Sequence, residues 1–248
     1  MSQNRPGQLL LPDTKVVACR VFEPEFKALG LGPDQVIYLD QGLHRYPKDL
    51  RQSLVQEIAN LEDQPAIKKV VLGYGLCGGG LEGISSRRLE LVLPMAHDCI
   101  PLLLGKNAVA TGVDCGGTFY LSPGWIDHGK TPFSEYHLTA SKFGREEALW
   151  AAKEMLKGYS EVVLINTAAH IKQHHRDYAK RMAELFGLAY RETEGRPDML
   201  VNLLAARGST QVALLTPGQL VEPVMYPHSA SPNSSQGEKG GSASCTNS

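Results

Sequence analysis

Five cysteines are scattered along 248 residues: Cys19, Cys77, Cys99, Cys115 and Cys245. No two of them make a C-x2-C pair, so nothing local announces a zinc finger or a redox dithiol. One of them closes a triplet of reactive types, His97-Asp98-Cys99, just where the chain turns apolar in "CIPLLLG". Imidazole, carboxylate and thiolate are the groups that ligate a soft metal or activate a nucleophile. The cysteine number is odd, the chain is not small, and the expected compartment is reducing. Clustered cysteines are then ligands, nucleophiles or packing residues rather than disulfides.

The positions of the cysteines are more telling than their number. Cys19 falls at the end of a β-rich run, "KVVACRVF" (15–22), and Cys77 in the glycine loop after a second such run, "IKKVVLGYG" (67–75). Cys99 sits at the edge of an apolar run and Cys115 just before another strand. Ligands collect beyond the carboxyl ends of strands in open parallel sheets, where loops distant in sequence converge. Cys19, Cys77 and Cys99 are therefore expected to meet, with His97 beside them. Three cysteines and a histidine are an accepted zinc set. Three cysteines with an open coordination position suit a catalytic iron–sulfur cluster. The competing expectation is that each cysteine packs as a small hydrophobe.

A metal-free reading makes one cysteine a nucleophile, activated by imidazole and oriented by a carboxylate. In an extended segment His97 and Cys99 would share a face and Asp98 would point away. Glu23 and Glu25, just past Cys19, could supply acid–base groups, although solvated loop carboxylates are commoner.

The stretch "GYGLCGGGLEG" (73–83) contains G-x-G-x-x-G at Gly73, Gly75 and Gly78. The dinucleotide pattern is weak here, because no helix opens at Gly78 and no ribose-binding acid follows about twenty residues on. A flexible positive-φ loop presenting Cys77 is the better expectation, with backbone N–H groups at Gly75 and Gly78 free to cradle an anion. "HIKQHH" places His170 and His174 four apart on an expected helix, where two imidazoles can share a metal; a solvated polar face is the commoner outcome. Trp125 follows a Pro-Gly turn and walls either a pocket or the core.

These residues need a scaffold. Strand patterns at 15–22, 35–40, 67–75, 117–127, 161–167 and 210–218 alternate with helical ones from Pro47, at 144–159, 170–187 and 198–206. The runs at 89–94 and 99–105 fit strand or helix equally. Alternation of this kind implies an α/β fold, a mostly parallel sheet flanked by helices in Rossmann-like layers, with length enough for two similar halves. Residues 1–14 read as a leader, 15–225 as the α/β domain with any subdivision near 130–143, and 226–248 as a disordered Ser/Gly-rich tail. A net charge of −1 gives no pull toward nucleic acid. No apolar run approaches the ~20 residues of a membrane span, and the opening residues are not expected to act as a signal peptide, since their apolar run is too short and lacks a small-residue cleavage site. A cytoplasmic protein is expected.

Taken in order, "VVACRVFEPEF", "VIYLDQGLHRYPKDLRQSL", "VVLGYGLCGGGLEGISS", "LVLPMAHDCIPLLLG" and "GTFYLSPGWID" resemble the domain-of-unknown-function 1638 family of bacteria and archaea. The resemblance runs from about Lys15 to about Val221 and includes the closing "ALLTPG". Cys19, Tyr74 with Cys77, the His97-Asp98-Cys99 triplet and the Pro123-Gly124-Trp125 turn match its motifs. The family often has a basic residue two places before the histidine, where this chain has Met95. The "HIKQHH" histidines and the tail are outside its pattern. The resemblance implies company with corrinoid-dependent one-carbon metabolism, an association rather than a mechanism.

The expected function is a metal- or iron–sulfur-dependent enzyme acting on a small molecule. Cys19, Cys77, His97 and Cys99 would be ligands to zinc or a cluster. His97 would double as a proton carrier, with Asp98 orienting it, Tyr74 donating a hydrogen bond at the rim, and Gly75, Gly78 and Trp125 contacting the cofactor. Two alternatives stand beside it: a non-catalytic metal or cofactor carrier serving a corrinoid or methyltransferase partner, and a metal-free cysteine nucleophile.

Overall fold

A computed structural model describes residues 9–105 and 117–225. Cys115, Cys245, the expected tail and most of the expected leader lie outside the described residues. The architecture is α/β, with two sheets flanked by helices.

The first sheet holds five strands in the order β2-β1-β3-β4-β8: β1 Thr14–Cys19, β2 Val36–Leu39, β3 Lys69–Gly73, β4 Glu90–Pro94 and β8 Val212–Leu215. β1, β2, β3 and β4 run parallel, and β8 lies antiparallel against β4. β1 and β3 are central, so their runs VVA and VVL are buried on both faces. That is why they read as continuous apolar stretches rather than as alternation. The register sets Ala18 opposite Gly73 and Cys19 opposite Leu39. From β1 the chain goes one way to β2 and then crosses back to β3. This leaves a crevice at the carboxyl ends between β1 and β3, the topological switch point of open α/β sheets.

Helices cover this sheet. α1 (Glu23–Ala28) follows β1 through a 3-10 turn at Arg20–Phe22, and α2 (Pro47–Glu62) follows β2 through a 3-10 turn at Gln41–Arg45. Pro47 starts α2, where a missing N–H costs nothing. Its Leu50, Leu54, Ile58 and Leu61 are buried, whereas Val55 is about half exposed. The ambiguous run after Cys99 is a short helix, α3 (Ile100–Leu104).

The second sheet is parallel, in the order β5-β6-β7: β5 Thr118–Leu121, β6 Glu161–Asn166 and β7 Ala189–Glu194. After β5 the chain does not make the expected turn at Pro123-Gly124. Ser122 accepts a hydrogen bond from the Trp125 N–H at 3.2 Å, caps the chain, and lets Pro123 open helix α4 (Pro123–His128). α5 (Pro132–Phe143), α6 (Arg145–Met155) and α7 (Gln173–Phe186) follow. α7 stops at Gly187, whose left-handed conformation is the usual glycine stop of a helix. α8 (Asp198–Leu204) then returns to pack on α3, β3 and β4 before β8 closes the first sheet.

The two sheets meet through α4, which packs on α1 and on the turn after Cys19. Gly124 makes this approach feasible: a Cβ there would lie 1.7 Å from the Val21 carbonyl oxygen. Among the described residues, no helix is long and apolar enough to cross a membrane.

Candidate functional site: a cavity lined by three cysteines

The carboxyl ends of β1, β3 and β4 lie side by side, and the chain leaves each of them toward the same space. A cavity of about 420 Å³ opens there, lined by Cys19, Tyr74, Cys77, Gly78, Asp98, Cys99 and Trp125, with Phe22, His44, Arg45, Gly73, Ile100 and Met155 completing its wall. Its size is that of a small-molecule site.

Backbone contacts explain why the loops converge. The Leu76 N–H donates to the Ala96 carbonyl and the Cys77 N–H to the His97 carbonyl, both at 2.9 Å. The glycine loop is thus zipped to the segment that carries Cys99. Gly75 allows the contact, because a Cβ there would lie 2.6 Å from the Asp98 backbone. Cys77 pays for its position with φ at +48°, where non-glycine residues are uncommon. Such conformations persist when the surroundings over-determine them, and they gather at functional sites.

Between Met95 and Cys99 the chain bends instead of remaining extended. Asp98, expected to point away, is buried and lines the cavity, while His97 is exposed and is not among the lining residues. The Asp98 Oδ1 accepts the Ile100 N–H at 2.8 Å, fixing the start of α3. Burial lifts the Asp98 carboxyl to about 6, against the pull of that N–H and of His97.

All three thiols are held protonated. Burial pushes Cys19 up to about 12, with Asp40 adding to the rise. Burial raises Cys77 and Cys99 far above the usual thiol range, and repulsion among the three sulfurs and Asp98 raises them further. That mutual repulsion places the three cysteines within electrostatic reach of one another. The Trp125 indole N–H lies near enough to Cys99 to favour its thiolate, although no hydrogen bond of good geometry forms. Tyr74 is buried, and its hydroxyl has no partner.

His44, Arg45, Phe22 and Met155 are lining residues that the sequence patterns did not single out. For His44 and Arg45 a signal exists: two polar, nitrogen-bearing side chains stand in the short turn between β2 and α2, at the same end of the sheet as Cys19. Gly78 lines the cavity with φ at +64°, as expected, whereas Gly75 serves the backbone contact instead.

A second cluster lies at the end of the other sheet. Asp127, His174 and His175 bring their ligand-type atoms within 4.8 Å of one another. The expected His170–His174 pair does not form on a helix, since α7 begins only at Gln173 and His170 precedes it with φ at +56°. The Lys172 N–H donates to His175 Nδ1 at 2.9 Å. His175 Nε2 therefore carries the ring proton and faces both Asp127 carboxylate oxygens at 3.3 Å. Glu25, expected to be a solvated loop carboxylate, is instead 1% exposed and takes a hydrogen bond from the Thr167 hydroxyl at 2.9 Å. Burial raises its carboxyl to about 7.

The family model described as "Protein of unknown function (DUF1638)" matches residues 38–204 of the 248, so the chain belongs to that family. No curated protein and no solved structure gives a match.

Proposed function

We propose that this DUF1638 member is an enzyme that holds a thiophilic iron–sulfur cluster through Cys19, Cys77 and Cys99 and acts on a small molecule in the same cavity. The observation that carries this reading is the delivery of three thiols, from three adjacent strand ends, to one space of about 420 Å³. Soft sulfur donors suit iron–sulfur, zinc or copper(I) rather than magnesium or calcium. Tetrahedral zinc at its usual bond length would draw the sulfurs to about 3.8 Å apart. Among the described residues, the ligand atoms that lie within 4.8 Å of one another are those of Asp127, His174 and His175, not the thiols. A cluster accepts wider spacing because each sulfur binds a different iron. Three cysteines would leave a fourth coordination position open to substrate, and this is the chemistry such a group supplies when bound.

The chain's own residues divide the remaining work. Asp98, with its carboxyl near 6, is suited to exchange a proton close to neutral pH. The exposed His97 beside it would relay that proton to solvent. Trp125 and Phe22 exclude water. Cys19 is buried and Cys77 and Cys99 are only partly exposed, which favours an enzyme over a carrier with freely accessible, exchangeable cysteines. A metal-free nucleophile would need one depressed thiol, whereas burial raises all three. Zinc is the metal alternative to a cluster, and a corrinoid methyl-transfer partner rests on association alone.

Anaerobic purification followed by iron, sulfide and zinc analysis and a visible spectrum tests the reading. Iron with matching sulfide is expected, lost on Cys77→Ser. Protein free of all three elements after anaerobic reconstitution would overturn it.

A further inference from the structure

The cavity has a chemical bias that its thiols do not explain. Three buried polar atoms on its lining residues lack a hydrogen bond of good geometry: Tyr74 Oη, Arg45 Nε and Trp125 Nε1, the last lying near Cys99. They come from three separate elements, namely the loop after β3, helix α4 and the 3-10 turn before α2. The indole and guanidinium N–H groups can only donate, and a phenol held neutral by burial donates as well. Of the other unpartnered buried atoms among the described residues, the two acceptors, on Glu25 and Asp198, are not on lining residues. The unmet demand at the cavity is thus entirely for acceptors. Buried donors are rarely left unpaired, because each forfeits its hydration.

Arg45 adds a permanent positive charge. Its hydrogen bond, from Nη2 to the Lys130 carbonyl, is long at 3.4 Å, and no carboxylate pairs with it among the described residues. Asp98, the carboxyl on the cavity wall, already spends Oδ1 on the Ile100 N–H. The apolar part of the lining includes Phe22, Ile100 and Met155.

We infer that the molecule taken into this cavity is a small oxyanion, a carboxylate or a phosphate, met by the charge of Arg45 and by one hydrogen bond each from Tyr74 and Trp125. This deepens the preceding reading and takes from it only that the cavity is where the small molecule goes. A short apolar portion of that molecule would lie against Phe22, Ile100 and Met155.

The indole N–H is also a convenient reporter. The chain has two tryptophans, Trp125 in the cavity and Trp150, which is 70% exposed on α6. In full-length protein labelled with nitrogen-15, propionate, inorganic phosphate and propionamide would be titrated separately while both indole signals are followed. Propionate or phosphate should move the Trp125 signal saturably and leave that of Trp150 in place. The anion that binds more tightly identifies the class. Propionamide, of the same shape without charge, should bind at least about tenfold more weakly. Arg45→Gln should weaken the anion by a similar factor or more. Arg45→Lys, which keeps the charge and loses the planar fork, should weaken it less and serves if the glutamine variant folds poorly. Tyr74→Phe should weaken binding severalfold without lowering the melting temperature, because the hydroxyl it removes has no partner. Equal binding of propionate and propionamide, or unchanged binding in both Arg45 variants, would sink the proposal.

The same titration on Cys77→Ser separates the two readings. Anion binding that survives loss of iron supports the oxyanion site whatever becomes of the cluster. Loss of binding in a folded Cys77→Ser variant would mean that the donors serve sulfur, and the oxyanion reading falls.

Discussion

The carboxyl ends of the two sheets each gather side chains able to bind metal, and they differ in what those side chains are already doing. At the three-stranded sheet, Asp127, His174 and His175 lie close together, with the two imidazole centroids 3.9 Å apart. Yet His175 is committed on both sides: Nδ1 accepts the Lys172 N–H and Nε2–H faces Asp127. Binding a metal through Nε2 would require breaking the turn that starts α7 or forming an imidazolate. At the five-stranded sheet, the thiols are less compact, but they border open space and the donors beside them are unmet. Closeness describes the first set and availability the second. A ligand site needs the second property, because a lone pair already used for folding is not free for anything else.

The contrast can be broken or sharpened by substitution. The largest expected effect is chemical. Cys77→Ser or Cys99→Ser should abolish bound iron and sulfide, while His174→Ala leaves both at wild-type content. Metal analysis of the three variants reads this directly, and iron that follows His174 would reverse the assignment of the two regions.

Next comes the joint between the sheets. Gly124→Ala drives a methyl into the Val21 carbonyl and should cost about 3 kcal/mol or more in urea unfolding. Wild-type stability in that variant would mean that α4 does not rest on the turn after Cys19.

Glu25 offers a pH-dependent test of the same joint, since it binds Thr167 at the end of β6. Its carboxyl is raised from 4.5 to about 7 by burial, so the folded state holds the proton more tightly than the unfolded chain. That contribution is fully present below pH 4.5 and disappears as pH rises through 7. Glu25→Gln, permanently neutral, should therefore stabilise the protein by about 2–3 kcal/mol at pH 8 and hardly at all near pH 4.5. Equal effects at both values, in urea melts, would contradict the burial argument.

The smallest effects separate two adjacent histidines. His175→Ala strands the Lys172 N–H and should cost about 1–3 kcal/mol. His174→Ala, on an exposed side chain, should fall within about 0.5 kcal/mol of wild type.

Much of this architecture was legible in the residues. The parallel sheet could be read because β1, β3 and β6 are buried on both faces and spell it in valine, isoleucine and leucine. The strand ends could then be placed, and with them Cys19, Cys77 and Cys99 at one end of one sheet. β7 escaped because it is a polar edge strand, mostly exposed, with no apolar alternation to betray it. α4 is spelled like a turn, because Pro-Gly punctuates chains in either role; the Ser122 cap decides it, and a cap is recognisable only once the helix exists. The facing of His97 and Asp98 was inverted because alternation holds only for extended chain, and the bend at 95–99 depends on a contact with Gly75 from another loop. Arg45 carries only a weak signal in the sequence, because a lone arginine in a turn looks like solvated surface until a cavity is seen behind it.

The path of the backbone has a further consequence. Residues 118–194 build the second sheet before α8 and β8 come back to finish the first. During synthesis α3 stays uncovered until nearly a hundred more residues have been made, and β4 keeps one side unpaired for more than a hundred. The loop between β4 and α3, which carries Cys99, is therefore complete before α8 exists to pack on α3, β3 and β4. A group to be seated against Cys99 has a period of open access before that covering forms.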